Sequence, residues 1–292
     1  MDGQSAIDSG QLGYSTRFYR SEDDLRLAYR DYGDPASPRL PVLCLTGLTR
    51  NAHDYERLAR RLAPERRIIC PDYRGRGRSQ YDPDWRNYRP ETYLNDIRHL
   101  LAVLGLERVV VIGTSLGGVL AMAMAALMPR ALAGVVLNDI GPEVEASGLG
   151  RILSYVAVDR PQPDWPSASA HLRELLPTLG LETEEDWEWI TRGTYREGAD
   201  GLLHFDWDVS LAKPLLAGQE TPDLWPFFRA LALVPLLALR GGVSDILTEG
   251  CFDRMAAERP DMSRAVIPGV GHAPTFDEPA SREALARFLA KV

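Results

Sequence analysis

Cysteine is scarce in this chain: Cys44, Cys70 and Cys251 are the only three in 292 residues, with no close pair and no C-x-x-C. That spacing supplies no disulfide framework and no zinc motif, and Cys44 and Cys70, set in apolar strand-like runs, read as buried, reduced thiols. Long apolar runs are also missing. Their absence argues against a membrane span and a secretory signal, and leaves the polar start MDGQSAIDSG as a loose leader on a cytoplasmic protein. Positive charge is in deficit, with a formal net charge of −8, which argues against a nucleic-acid partner. H-E-x-x-H is absent, GTSLGG lacks the lysine of a phosphate loop, and in RGRGRS the pair Ser79-Gln80 stands where a dinucleotide fingerprint needs its third glycine. No metal or organic cofactor is expected, and the expected partner is a small-molecule substrate.

What is present is a soluble-protein balance, 45% apolar and 25% charged, enough to bury a large core. Strand-like and helix-like segments alternate. Segments around Arg17 and from Leu25 read as an opening hairpin; PVLCLTG, RRIICPD, VVVIGT, AGVVLND, VPLLALRGG and RAVIPG read as strands. Helical stretches lie between them, one closed by Gly105, one starting near Thr248 and a last one from about Ser281. The βαβα order predicts an α/β fold: a mostly parallel sheet with helices on both faces and strand ends sharing one ligand-binding edge. Residues 143–230 interrupt it with prolines, acidic helical stretches and five of the six tryptophans. They are too long for a loop and read as a helical cap inserted into a core made of 1–142 and 231–292. Ring packing is the default role for its tryptophans.

The run VVVIGTSLGG places Ser115 in G-x-S-x-G, after β-branched residues and before an Ala/Met-rich helical stretch. That is the context of a nucleophile elbow, a sharp strand-to-helix turn that lifts the serine hydroxyl clear of the sheet, with glycines where a Cβ would collide. Two further segments, PDYRGRGRS (71–79) and PGVGHAP (268–274), resemble the D-x-R-G-x-G-x-S segment and the histidine loop of the α/β-hydrolase superfamily. In chain order with the elbow, they make the whole chain resemble that superfamily. One departure is Thr46-Gly47-Leu48-Thr49 where the family often has His-Gly. The glycine is kept, and the resemblance implies an oxyanion hole from the Leu48 and Leu116 N–H groups.

Of five histidines, His53, His99, His171, His204 and His272, only His272 follows the last strand in a Gly-flanked turn, and the resemblance makes it the base. His204 is an outside candidate for a substrate contact. For the acid there are two strand ends. The family's pattern after the later strand, laid over GGVSDIL, puts Ser244 at the acid's place and Asp245 one residue beyond; Asp139 stands at the tip of the strand following the nucleophile helix. Some bacterial esterases and ring-fission-product hydrolases of the superfamily draw their acid from that place, so Asp139 is favoured, with Ser244 as its hydrogen-bonding helper. Asp245 as the acid, and an Asx turn at Asp139, remain alternatives. The resemblance then implies a serine hydrolase cleaving a carboxylic ester of a small or medium acyl substrate through an acyl-enzyme on Ser115. Amide, lactone or carbon-carbon hydrolysis is the alternative, and a non-enzymatic receptor a third. Arg50, just past the oxyanion turn, is a candidate holder of a substrate carboxylate, and Tyr155 and Trp207 are candidate pocket residues.

Overall fold

A computed structural model describes residues 7–9, 13–217 and 223–292. The architecture centres on one nine-stranded sheet. Its strands are β1 (Ile7–Ser9), β2 (Tyr14–Arg20), β3 (Arg26–Tyr32), β4 (Val42–Leu45), β5 (Ile68–Pro71), β6 (Val109–Thr114), β7 (Leu132–Asn138), β10 (Leu236–Gly241) and β11 (Ser263–Ile267). The spatial order is β1-β2-β3-β5-β4-β6-β7-β10-β11. From β5 to β11 every pairing is parallel, whereas β1, β2 and β3 add an antiparallel edge. Part of the expected loose leader is therefore ordered as β1; residues 1–6 and 10–12 lie outside the described residues.

The central strands are apolar throughout because both faces are covered. All residues of β4, β5 and β7 are buried. Helices α1 (Glu56–Leu62), α2 (Pro90–Leu104), α3 (Leu116–Leu127), α9 (Glu249–Glu258) and α10 (Pro279–Leu289) alternate with the strands. Their ends follow local chemistry. Pro90 opens α2, Gly105 closes it at φ 64°, and the Thr248 hydroxyl accepts the Cys251 N–H to cap α9. The last helix begins at Pro279, two residues before the expected start, because proline is suited to a first helical position. All three cysteines are buried and unpaired in disulfides.

Between β7 and β10 the chain leaves the sheet. This segment holds α4 (Ala146–Val156), α5 (Trp165–Leu175), α6 (Glu184–Thr194), α7 (Lys213–Leu216) and α8 (Trp225–Arg229). It is not wholly helical: β8 (Tyr195–Glu197) and β9 (Leu203–Phe205) pair as an antiparallel hairpin, closed by a turn with Gly201 at φ 78°. Tyr195, Leu203 and Phe205 supply the alternating apolar face that favours strands there. Among the described residues no helix is long and apolar enough to cross a membrane.

Candidate active site

The elbow is built as its sequence requires. Ser115 stands between β6 and α3 at φ 53°, ψ −118°, a conformation that costs energy for a residue with a side chain. Close packing explains the glycines. A Cβ on Gly117 would sit 2.0 Å from the Leu45 carbonyl oxygen, and one on Gly113 would sit 2.4 Å from the Gly117 oxygen. The turn therefore brings α3 against β4, which is also the strand preceding Leu48.

Sheet order then sets the site residues side by side. The tips of β4, β6, β7 and β10 carry in turn Leu48, Ser115, Asp139 and Ser244, and the loop after β11 carries His272. His272 comes from the outermost strand and reaches back across the edge. Two contacts hold its loop there: the Asn138 amide donates to the Pro274 carbonyl at 2.8 Å, and the Gly271 N–H donates to the Thr178 carbonyl at 2.6 Å. The same Asn138 amide donates to Thr114 Oγ1, the residue before the elbow serine, at 3.0 Å. Asn138 thus ties the histidine loop to the elbow.

Three contacts converge on Asp139, the candidate acid. His272 Nδ1 lies 2.7 Å from Asp139 Oδ2, the Ser244 hydroxyl donates to the same oxygen at 2.6 Å, and the Gly241 N–H donates to Oδ1 at 2.7 Å. Asp139 is fully buried and held at φ 54°. Ser244 is itself oriented, since its oxygen accepts the Ile246 and Leu247 N–H groups, both at 3.1 Å. Asp245 points elsewhere, forming a two-pronged pair with Arg151 of α4 at 2.6 and 2.9 Å. The one-residue offset in GGVSDIL therefore separates a serine aimed at the buried carboxylate from an aspartate aimed at the insertion.

Ser115 and His272 line one cavity together with Thr46, Leu48, Thr49 and Thr114 from the sheet edge. The inserted segment contributes a mostly apolar wall of Ile152, Leu172, Leu175, Leu176, Leu179, Ile190, Phe205 and Trp207, with Tyr155 and Trp189. Trp207 is 4% exposed, stacks on Phe205 at 4.1 Å between centroids, and donates its indole N–H to the Val156 carbonyl at 3.2 Å. It is both lining and packing. His204 is not among the lining residues; it pairs with Asp159 and Asp200 at 2.6 and 3.0 Å in the hairpin. Arg50 does line the cavity, but its guanidinium meets both oxygens of Asp54, at 2.7 and 2.8 Å, and donates to Thr194 Oγ1 at 2.6 Å. Burial opposes its charge, and the Asp54 carboxylate nonetheless holds its pKa above the usual range. The charge expected to meet a substrate carboxylate is thus already met within the protein.

A model of the alpha/beta hydrolase fold matches residues 41–208. The chain belongs to the α/β-hydrolase family. It is 35% identical to the 3-hydroxybutyrate-oligomer hydrolase of Cupriavidus necator over 275 residues, covering 90% of this chain and 92% of that one. It is 27% identical to the 2-(acetamidomethylene)succinate hydrolase of Mesorhizobium japonicum, over 79% of this chain and 81% of the relative. A crystal structure of an alpha/beta hydrolase from Novosphingobium aromaticivorans superposes with a TM-score of 0.90 at 44% identity, covering 96% of this chain and 99% of that one.

Within this α/β hydrolase, two positioning residues escaped the reading of the sequence. Asn138 is one; it sits beside Asp139 in LND and looks like any strand-end asparagine. Arg76 is the other. It is completely buried, its Nε donates to the Leu48 carbonyl, Nη1 donates to the Arg74 carbonyl at 2.8 Å, and both Nη atoms lie 3.2 Å from the Tyr93 hydroxyl. A buried cation pinning the Leu48 carbonyl restrains the loop that carries Leu48 at the cavity. The signal available was its place in RGRGRS, which carries family resemblance but not direction.

Proposed function

We propose that this α/β hydrolase is a serine-dependent hydrolase of carboxylic esters, acting through an acyl-enzyme on Ser115. The observation that carries the reading is the buried Asp139 carboxylate 2.7 Å from His272 Nδ1, in the cavity edge that also holds the strained elbow serine. With Asp139 accepting from Nδ1–H, the other ring nitrogen of His272 is free to take the Ser115 proton as Oγ attacks the acyl carbon. The Leu48 and Leu116 N–H groups receive the oxyanion, and each such donor supplies about 2.7–4 kcal/mol of transition-state stabilisation. His272 then protonates the departing alcohol, and water repeats the sequence on the acyl-enzyme. A hydroxyl from Ser244 and an N–H from Gly241 hold the Asp139 carboxyl group turned toward His272.

The apolar wall and the likeness to the Cupriavidus relative support a substrate class. An oligomer of a 3-hydroxy acid is a chain of short acyl units joined by ester bonds, which suits a cavity that is apolar except at its floor. Short-chain esters of this kind are the proposed substrates. Ser115→Ala should abolish turnover of such esters while leaving thermal unfolding unchanged, and a fluorophosphonate probe should label Ser115 and no other serine. Full activity in the Ala variant, or labelling elsewhere, overturns the proposal.

A further inference from the structure

Arg50 and Asp54 form an internally neutral pair whose edge faces the cavity. Arg50 has five N–H groups; Nε–H and one Nη2–H go to Asp54, and one Nη1–H goes to Thr194. One N–H on each Nη remains. Thr194 cannot turn away, because its own hydroxyl donates to the Ile190 carbonyl at 2.7 Å. On the acceptor side, neither Asp54 oxygen has a second donor among the described residues, so each keeps a lone pair. Both side chains are largely but not fully covered, 15% and 25% exposed, and both line the cavity.

The pair is close to the nucleophile. The point where a Cβ on Gly47 would sit is 3.4 Å from Arg50 Cγ and 3.6 Å from Ser115 Cβ, so the arginine stem and the elbow serine flank one glycine. It also lies on a definite side. Arg50 follows β4, whereas His272 follows β11 at the far end of the order β4-β6-β7-β10-β11. The alcohol that leaves takes its proton from His272 and departs on that side, which assigns the Arg50 side to the acyl chain.

We propose that Arg50 and Asp54 are a donor–acceptor subsite that takes a hydroxyl group carried on the substrate's acyl chain close to the ester carbonyl, and that turns away a carboxylate at the same position. A hydroxyl accepts from an Arg50 N–H and donates to an Asp54 oxygen at once, leaving neither group unpaired. A carboxylate satisfies only the arginine and meets the Asp54 charge at contact range. This inference rests on the ester-hydrolase reading of Ser115 and narrows it to hydroxyacyl esters.

The test compares ethyl butyrate, ethyl 3-hydroxybutyrate and monoethyl succinate, following acid release with the wild-type protein. The hydroxy ester should exceed the butyrate ester in kcat/KM by at least about tenfold, and the succinate ester should be the poorest of the three. In Asp54→Ala the hydroxy-to-butyrate ratio should fall toward one, and the succinate ester should improve over wild type because the Arg50 charge is then uncompensated. Equal wild-type rates for the first two esters, or an unchanged ratio in a folded Asp54→Ala, overturns the subsite. Should that variant not fold, inhibition of the wild type decides: 3-hydroxybutyramide inhibiting more strongly than butyramide supports the subsite, and equal inhibition overturns it. If the subsite alone is wrong, Ser115-dependent turnover of ethyl butyrate persists; if no ester is turned over and Ser115 resists the fluorophosphonate, both readings fall.

Discussion

Asp139 shows how one residue's surroundings set its chemistry. It accepts three hydrogen bonds, from His272, Ser244 and the Gly241 N–H, while buried from water. Removing the carboxylate charge leaves a protonated His272 uncompensated and frees the ring to adopt the wrong tautomer. Asp139→Asn is expected to lower kcat on a short ester by about 10⁴-fold. Ser244→Ala removes one hydrogen bond to a charged group and should cost about tenfold to a hundredfold. Asp245→Asn weakens only the pair with Arg151, and its kcat should stay within about threefold of wild type, as expected for a partly exposed ion pair. Steady-state kinetics on the three variants checks the order; Asp245→Asn as the most damaging would contradict the geometry.

At the scale of elements, the sheet edge supplies polar atoms and the insertion supplies apolar bulk. The two contributions should separate in kinetics. Leu175 and Leu176, at the end of α5, line the cavity and are only half-buried, so shortening them enlarges the wall at small structural cost. Leu176→Ala is expected to shift chain-length preference toward longer acyl groups, by about tenfold in relative kcat/KM, with little change in Tm. Trp207→Ala, in contrast, loses the stack on Phe205 and the bond to Val156, and should destabilise the fold by about 3–5 kcal/mol. A kinetic series over esters of increasing length, run beside thermal unfolding, distinguishes wall from support. An unchanged preference in Leu176→Ala would mean that α5 does not meet the acyl chain.

For the whole molecule, the contact between core and insertion carries a pH dependence. Asp206, just past β9, has its pKa pushed up to about 7, first by burial and then by the nearby Asp72 carboxylate. Its Oδ2 accepts from the Asn51 amide at 2.8 Å, and that amide also donates to the Gly193 carbonyl of α6 at 2.9 Å. An acid whose folded pKa lies above its unfolded value binds more protons when folded. Its contribution is fully present below about pH 3.9, the ordinary aspartate value, and is lost as pH rises through about 7. Asp206→Asn keeps an acceptor for Asn51 without the buried charge. The variant should unfold a few degrees above wild type at pH 8, and the difference should shrink at pH 5. Thermal unfolding across that range is the measurement, and a variant less stable at pH 8 would reverse the sign.

Much of this protein was legible in its sequence because the causes are local. The parallel core follows from apolar runs separated by capped helices, and the elbow from glycines at positions where α3 and β4 leave no room for a Cβ. The hairpin within 143–230 was missed because three-residue strands leave too short a pattern to outweigh their acidic helical neighbours. Partner choice was not legible either, since it depends on directions fixed by elements distant in the chain. Only tertiary structure turns Asp139 to His272 and Asp245 to Arg151, lays Arg76 under Leu48, and answers the Arg50 charge with Asp54 and Thr194. A residue's type and local backbone set what it can bond to; where its bond ends is decided by packing across the sheet edge.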